Sequence, residues 1–315
     1  MRFFLSFLTL LLLAGGGAAW WGREAVHAPG PLAAPIQIVI PRGGATAIGA
    51  MLAERGVVSD GRIFAAAAWI TRDEGHLRAA EFAVPARSSI IEVLGILRHA
   101  RPVQRRLTIP EGLAIRQIIP ILEQAEGLVG DVPAFAEGAL LPETYTFEWG
   151  DTRASIVTRA DTAMDAALAE AWAARAQNLP LATPREALVL ASIVERETGR
   201  ADERARVAGV FINRLRRGMA LQSDPTVAYA AAAGPLDRPI SRADLDRDHP
   251  FNTYRIRGLP PGPIASPGRD ALVAVTQPEA NDFLYFVADG RGGHVFARTL
   301  EEHNRNVARW RALTQ

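Results

Sequence analysis

The chain has 315 residues and is 49% hydrophobic, which is enough for one large domain or two small ones with a real core. The charges of its 35 basic and 34 acidic side chains nearly cancel. The chain therefore lacks the strong net positive charge typical of nucleic-acid-binding proteins, which favours a neutral partner. It contains neither Cys nor Lys, which excludes thiol nucleophiles, disulfides, Cys-ligated zinc, Schiff bases, Walker A loops and Ser-Lys dyads, and leaves carboxylate, histidine, hydroxyl or metal chemistry.

The amino terminus predicts a single membrane-spanning helix. The run from Phe3 to Trp21 carries no charged residue and spans about 28 Å as a helix at ~1.5 Å per residue, just enough to cross a bilayer. Trp20 and Trp21 stand where an interfacial aromatic belt would lie, which favours a retained transmembrane anchor over residues 1–21. The alternative is a cleaved signal peptide, with the small residues 17–19 as its cleavage site. Both interpretations predict that the rest of the chain is exported.

The next segments predict a tether followed by a small domain. Residues 22–35 are rich in Pro, Gly and Ala and predict a flexible linker. Residues 36–103 predict a strand-helix-helix-strand unit with one added helix. Its strands are expected where apolar residues alternate, at Ile36–Pro41, and at Glu81–Val84. Its helices are expected to begin near Thr46, at a cap at Ser59, and at Ser88 or Ser89.

Residues 104–315 predict a larger domain. Alternation from Val103 to Ile109 predicts a strand that ends at Pro110–Gly112, before a helix over Ile115–Glu126. Residues 152–176 are amphipathic and predict another helix. The mixture of strands and helices predicts an α+β fold for this domain.

The most informative helix begins after residue 182. Thr183 and Glu186 have the spacing of a capping box, and Pro184 suits the first helical position. Residues 187–194 are apolar on nearly every face, which predicts a centrally buried helix. Glu195 follows directly, so loss of hydration should raise its pKa above ~4.3, as a general acid at neutral pH requires.

A second carboxylate, Glu197, lies about 200° further around this helix at roughly 100° per residue. The two carboxylates therefore cannot share one site through this helix alone, and Glu197 is expected to face Arg200 or Arg204. The alternative for Glu195 is a plain ion pair with an Arg of the following helix.

Several blocks of the chain, taken together and in order, resemble the YceG-like endolytic murein transglycosylase family. These blocks are Leu190–Thr198, Val210–Leu215, Leu221–Thr226, Pro250–Tyr254, Gly258–Ile264, Ser266–Gly268, Leu284–Ala288, Gly293–Phe296 and Glu302–Asn304. The resemblance covers roughly residues 104 to 312. It implies a YceG-like catalytic domain over 104–315 and a small LysM-like α/β domain over 36–103.

The resemblance also implies an activity and a place of action. The family cleaves the bond between N-acetylmuramic acid (MurNAc) and N-acetylglucosamine (GlcNAc) in nascent peptidoglycan strands. It leaves 1,6-anhydroMurNAc ends that terminate elongation, and it needs no metal or cofactor. The chain is then expected in the inner membrane by a single pass, with its catalytic part in the periplasm, and with peptidoglycan synthases, the penicillin-binding proteins, as partners.

Carried over by position, the acid and base is Glu195. The implied substrate-binding residues are Gln222, Ser223, Asp224, Asn252, Thr253, Tyr254 and His294. Such side chains supply directional hydrogen bonds to sugar hydroxyls and amides. The alternatives are turn formation for the polar loop residues, with Ser223–Pro225 capping a helix, and a structural role for the histidine.

One carboxylate is consistent with this chemistry, because the muramyl C6 hydroxyl, and not water, attacks C1. Two other functions stay open on the sequence: a hydrolytic muramidase, in which water attacks, and a non-catalytic wall-binding scaffold for the synthases. Metal-dependent hydrolysis is disfavoured, because the chain has no HExxH motif and no calcium-loop pattern.

Overall fold

The computed structural model describes residues 2–314, with side chains described over residues 6–313. Two residues lie outside the described part of the chain: Met1, the first residue of the predicted segment 1–21, and Gln315, the last residue of the predicted segment 104–315. The chain divides into two compact units: residues up to Arg105 with Thr146–Asp151, and Arg106–Tyr145 with Thr152 onward. Helices combined with small two-stranded antiparallel sheets confirm the α+β class.

The first unit is a two-stranded sheet covered by helices. Antiparallel pairing sets Ile38 opposite Phe82, and both side chains are buried in a core that the helices close. The order of elements is the predicted strand-helix-helix-strand with an added helix. The elements are α1 (Arg2–His27), β1 (Ile36–Val39), α2 (Ala45–Glu54), α3 (Gly61–Ile70), β2 (Glu81–Val84) and α4 (Ile90–His99).

The segment predicted as a flexible linker, 22–35, differs in the structure. Helix α1 continues through its first part, and Val26 and Leu32 pack against the core of the first unit. The Leu32 carbonyl accepts a hydrogen bond from the Arg87 amide at 2.8 Å. Apolar anchors within the Pro-rich segment therefore fix it against the unit, which its composition alone does not reveal.

Two helix starts in the first unit show how caps decide boundaries. The Asp60 carboxylate accepts hydrogen bonds from the amides of Arg62 and Ile63, so Asp60 caps α3 and the prediction of Ser59 is wrong by one residue. Ser89 caps α4 in a complete capping box with Glu92.

Part of the predicted membrane span, Phe3 to Leu5, lies outside the residues whose side chains the structure describes. Over the part that is described, no helix combines the length and the apolarity that crossing a bilayer requires.

The second unit is built around one buried helix. The remaining elements, of which Arg105 and Thr146–Phe147 belong to the first unit, are β3 (Arg105–Thr108), α5 (Ile115–Glu123), β4 (Thr144–Phe147), α6 (Arg153–Ala173), α7 (Pro184–Glu197), α8 (Ala201–Arg216), α9 (Asp224–Ala232), α10 (Arg242–Asp246), α11 (Arg269–Thr276), β5 (Tyr285–Ala288), β6 (His294–Ala297) and α12 (Leu300–Thr314). Residues 187–194 of α7 are all buried, as predicted, because α6, α8, α9 and α11 surround the helix. The antiparallel hairpin β5–β6 packs against α12, and its first strand also contacts α8.

Candidate functional site

The last turn of α7 carries Glu195 and Glu197. Both follow the apolar run, so both leave water when α7 is buried. Their spacing places them on different sides of the helix, as the sequence predicts, and each meets different partners.

Glu195 lies in a packed polar cluster. Its side chain is 5% exposed, and its Oε2 accepts a hydrogen bond at 2.9 Å from the amide of Gly268, the residue that caps α11. Arg204, which pairs with Asp270 at 3.2 Å, lies 3.6 Å from its Oε1. Burial raises the pKa of Glu195, and the negative charges of Glu111 and Asp270 raise it further. The hydrogen bond from Gly268 and the positive charge of Arg204 oppose this rise. The raised pKa agrees with the prediction.

The loop at residues 110–112 covers this cluster, a role that the sequence did not indicate. A Cβ atom at Gly268 would collide with the Glu111 carboxylate, so Glu111 could not keep this position beside a larger residue. Gly112 has a φ of 73°, and its carbonyl accepts a hydrogen bond from Arg196 at 3.1 Å. In the sequence, this role could have been suggested by the Gly that follows Pro110–Glu111 and by the Gly at the start of α11.

Glu197 faces a different neighbourhood from the one predicted for it. Its Oε1 accepts a hydrogen bond from the Ser223 hydroxyl at 2.5 Å. The expected partner Arg200 instead pairs with Asp202 at 2.6 Å, because both lie at the start of α8, and Arg204 lies beside Glu195.

The environment of Glu197 favours its protonated form. Burial raises the pKa of this carboxyl to about 7, and the charge of Asp224 adds to the rise. The Ser223 hydrogen bond and the positive charges of Arg214 and Arg196 oppose it. A carboxyl with this pKa can both give and take a proton at neutral pH.

Glu197 also lines a groove of about 530 Å³. Four of the predicted substrate-binding residues share that groove: Gln222, Asp224, Tyr254 and His294. The predicted residues Glu195, Ser223, Asn252 and Thr253 are not among its lining residues. A pocket of about 640 Å³ beside α5 holds none of the predicted site residues, so volume alone does not mark the site.

The polar wall of the groove is a short segment before α9. Gln222 adopts a φ of 48°, which is uncommon for a residue other than glycine, and its amide donates to the Thr253 carbonyl at 3.1 Å. The Tyr254 hydroxyl donates to Asp224 at 2.7 Å. Strained backbone at such a position is typical of a functional site.

Three predicted contact residues lie beneath this wall. Asn252 is fully buried, its amide donates to the carbonyls of three residues between 244 and 247, and its Oδ1 accepts the amide of Tyr254 at 3.1 Å. Thr253 is fully buried, and its hydroxyl accepts the amide of Ser223 at 3.0 Å. Ser223 is 1% exposed and bonds Glu197. The polar groups of these three residues already have protein partners, and their direct contact with substrate stays a prediction.

The buried amide of Asn252 gives a stability prediction. Asn252→Ala should lower the free energy of unfolding by roughly 2–3 kcal/mol, because buried carbonyls lose their donor. Urea unfolding of the full chain measures the change. Tyr254→Phe, which removes one half-exposed hydroxyl two residues away, should stay within about 0.5 kcal/mol. If the Asn252→Ala protein keeps its stability but binds glycan poorly, the hypothesis that Asn252 contacts the glycan directly is supported instead.

Arg214 is a site residue that the sequence analysis missed. Its guanidinium donates to the carbonyl of Leu284 at 2.7 Å and to that of Leu221 at 2.7 Å, so it links the residue before β5 to the segment before α9. Burial lowers the pKa of Arg214, and nearby Glu197 counteracts this. An Arg on the apolar face of α8, at helical spacing from Val207 and Phe211, was the available signal.

Comparison with known proteins agrees with this architecture. A putative yceG-like protein of Listeria monocytogenes has a similar fold, with a TM-score of 0.55 and 28% identity, over 86% of this chain and 98% of that chain. The endolytic murein transglycosylase of Streptococcus pneumoniae D39 is 32% identical over 87% of this chain and 58% of the relative. That of Bacillus subtilis 168 is 38% identical over 54% of this chain and 46% of the relative.

This chain thus spans about half the length of the curated relatives it matches. The model of the YceG-like family matches residues 38–309, which is most of the chain and includes both carboxylates and every lining residue of the groove except Trp310. The chain therefore belongs to the YceG-like family.

Proposed function

We propose that this chain is an endolytic murein transglycosylase, which cleaves the MurNAc–GlcNAc bond within nascent glycan strands and leaves 1,6-anhydroMurNAc ends. Relatives over most of the chain carry that name. A groove that combines apolar and aromatic side chains with hydrogen-bonding groups and one carboxyl of pKa about 7 suits a neutral sugar substrate. Such cleavage would terminate strand elongation.

We propose Glu197 as the acid and base. The observation that carries this assignment is its place in the groove with Gln222, Asp224 and Tyr254, where a glycan can reach it. Glu195 as acid and base, predicted from the sequence, stays a prediction, and its hydrogen bond to Gly268 supports a role in joining α7 to α11.

The proposed reaction needs only one carboxyl. Glu197 gives its proton to the leaving oxygen of GlcNAc as the bond to muramyl C1 breaks. The resulting carboxylate takes the proton of the muramyl C6 hydroxyl, whose oxygen closes on C1. No water is consumed, and Glu197 ends protonated as it began. Burial keeps the pKa of Glu197 high enough for the first step, and the charge of Asp224, which accepts a hydrogen bond from Tyr254, adds to the rise.

We propose that the glycan contacts Gln222, Asp224, Tyr254 and His294, while Ser223, Asn252 and Thr253 hold the wall of the groove in place. The support is the division of these residues between groove-lining and buried positions.

We further propose that residues 36–103 form a LysM-like domain and residues 104–315 the catalytic domain. Residues 1–21 would anchor the chain by a single pass in the inner membrane, with the catalytic part in the periplasm beside peptidoglycan synthases. Support for the anchor comes from exposed apolar side chains on α1, among them Trp20 at 70% and Trp21 at 61% exposure. The strand-helix-helix-strand order and the antiparallel β1–β2 pairing support the small domain.

Mass analysis of products from nascent, uncrosslinked glycan tests the activity. The expected products carry an anhydro end and are lighter by one water than those of a muramidase. Hydrated ends would instead show that water attacks. Intact glycan, bound but uncut, would show a scaffold.

A further inference from the structure

His294, which lines the groove, is paired with a carboxylate behind it, and this carboxylate takes no part in the proposed reaction. Glu203, in the first turn of α8, is buried, and its Oε2 lies 2.8 Å from Nδ1 of His294 on β6. Its Oε1 accepts the backbone amide of His294 at 3.1 Å. One carboxylate therefore holds both the ring and the main chain of this histidine.

The packing leaves this pair little freedom. A Cβ atom at Gly293 would lie 2.7 Å from Oε1 of Glu203, so the carboxylate occupies the space that a side chain there would need. Arg200 lies 3.5 Å from the same oxygen. On the other side, the ring of Phe286 meets the imidazole edge-on at 5.3 Å between centroids.

The contact also fixes which ring nitrogen carries a proton. An ionised carboxylate only accepts hydrogen bonds, so we assign Nδ1 of His294 as the donor to Glu203. In the neutral ring Nε2 then presents a lone pair. Nε2 has no hydrogen-bond partner among the residues that the structure describes, and His294 lines the groove that contains Glu197.

We propose that Glu203 is a positioning residue, which holds His294 so that Nε2 accepts a hydrogen bond from a hydroxyl of the glycan in the groove. Glu203 acts through His294 and does not touch the sugar. This inference rests on the proposed function and adds a determinant of sugar orientation to it. Carboxylates that orient metal-binding histidines contribute about 10- to 100-fold, which sets the scale of effect expected here.

A double-mutant cycle on the full chain tests the pair. Glu203→Gln and His294→Ala should each lower kcat/KM on peptide-free GlcNAc–MurNAc oligosaccharide about tenfold or more, and the double variant should be no worse than His294→Ala. Asp202→Asn is the matched control, because it removes a carboxylate from the same helix turn and Asp202 pairs with Arg200. Additive losses in the double variant would overturn the proposal.

A spectroscopic measurement separates positioning from plain packing and does not depend on turnover. In Glu197→Gln protein with 15N-labelled histidine rings, His294 should be protonated at Nδ1, and a GlcNAc–MurNAc tetrasaccharide should shift the Nε2 resonance. Glu203→Gln should mix the two tautomers, while Asp202→Asn should not.

The outcomes distinguish this inference from the function on which it rests. If the tetrasaccharide binds and wild-type protein cleaves glycan, but Nε2 does not shift, the inference is wrong and the function stands. If the tetrasaccharide does not bind and wild-type protein leaves nascent glycan uncut, both are wrong. If wild-type protein cleaves glycan but the tetrasaccharide does not bind, only the inference is wrong.

Discussion

Glu197→Gln should lower the rate of anhydro-product release by roughly 10²- to 10⁴-fold, which is the usual contribution of a general acid and base. The amide keeps the volume of the side chain and can still meet the Ser223 hydroxyl, but it cannot give a proton at neutral pH. Glu195→Gln is the matched variant, and it should cost less than about tenfold, because Glu195 faces Gly268 and Arg204. The measurement is initial rate on nascent glycan, with products separated by mass.

Stability distinguishes lost chemistry from lost folding. The pKa of Glu197 is raised from 4.5 to about 7 in the folded chain, so its stabilising effect is complete below pH 4.5 and is lost as pH rises through 7. At pH 8 the folded protein holds a poorly solvated charge, which the Gln variant lacks. Glu197→Gln should therefore melt at a higher temperature than wild type at pH 8, with the difference vanishing towards pH 5. A reversed ranking, with Glu195→Gln inactive and Glu197→Gln active, would assign the chemistry to Glu195.

The sequence predicts α7 well because its determinants are local. Thr183 and Pro184 fix its start, and an apolar run over 187–194 leaves no polar face, so burial follows without knowing the neighbours. Periodicity also predicts that Glu195 and Glu197 point in different directions. It cannot tell which one meets a groove, because their partners, Gly268 and Ser223, come from distant parts of the chain.

The same limit explains the differences at the wall of the groove and at the linker. Asn252 has the right chemistry for binding a sugar, but only the tertiary structure shows that its amide is consumed by three backbone carbonyls. A Pro-rich composition predicts an extended linker, and Leu32 overrides it by packing against the core of the first unit. Residue type therefore predicts the chemistry that a segment can perform, while burial decides whether it is free to do so.

The pH dependence of kcat/KM should identify the acid by the neighbours that move its pKa. With Glu197 protonated, the rate should hold below about pH 7 and fall tenfold per pH unit above it. Ser223→Ala removes a hydrogen bond that stabilises the charged form, so the pKa of Glu197 and the alkaline limb should rise. Asp224→Asn removes a neighbouring negative charge, so both should fall.

The control for these shifts is Asp270→Asn, whose charge raises the pKa of Glu195 and is not among the groups that raise that of Glu197. This variant should leave the alkaline limb where it is, provided that Glu197 is the acid. If the limb moves with Asp270→Asn and ignores Ser223→Ala and Asp224→Asn, the titrating acid is Glu195. General loss of structure cannot shift the midpoint of the alkaline limb in opposite directions in the two variants. Partial unfolding lowers the amplitude of a pH profile and does not move its midpoint up in one variant and down in the other. The pair of shifts therefore tests the proton donor itself.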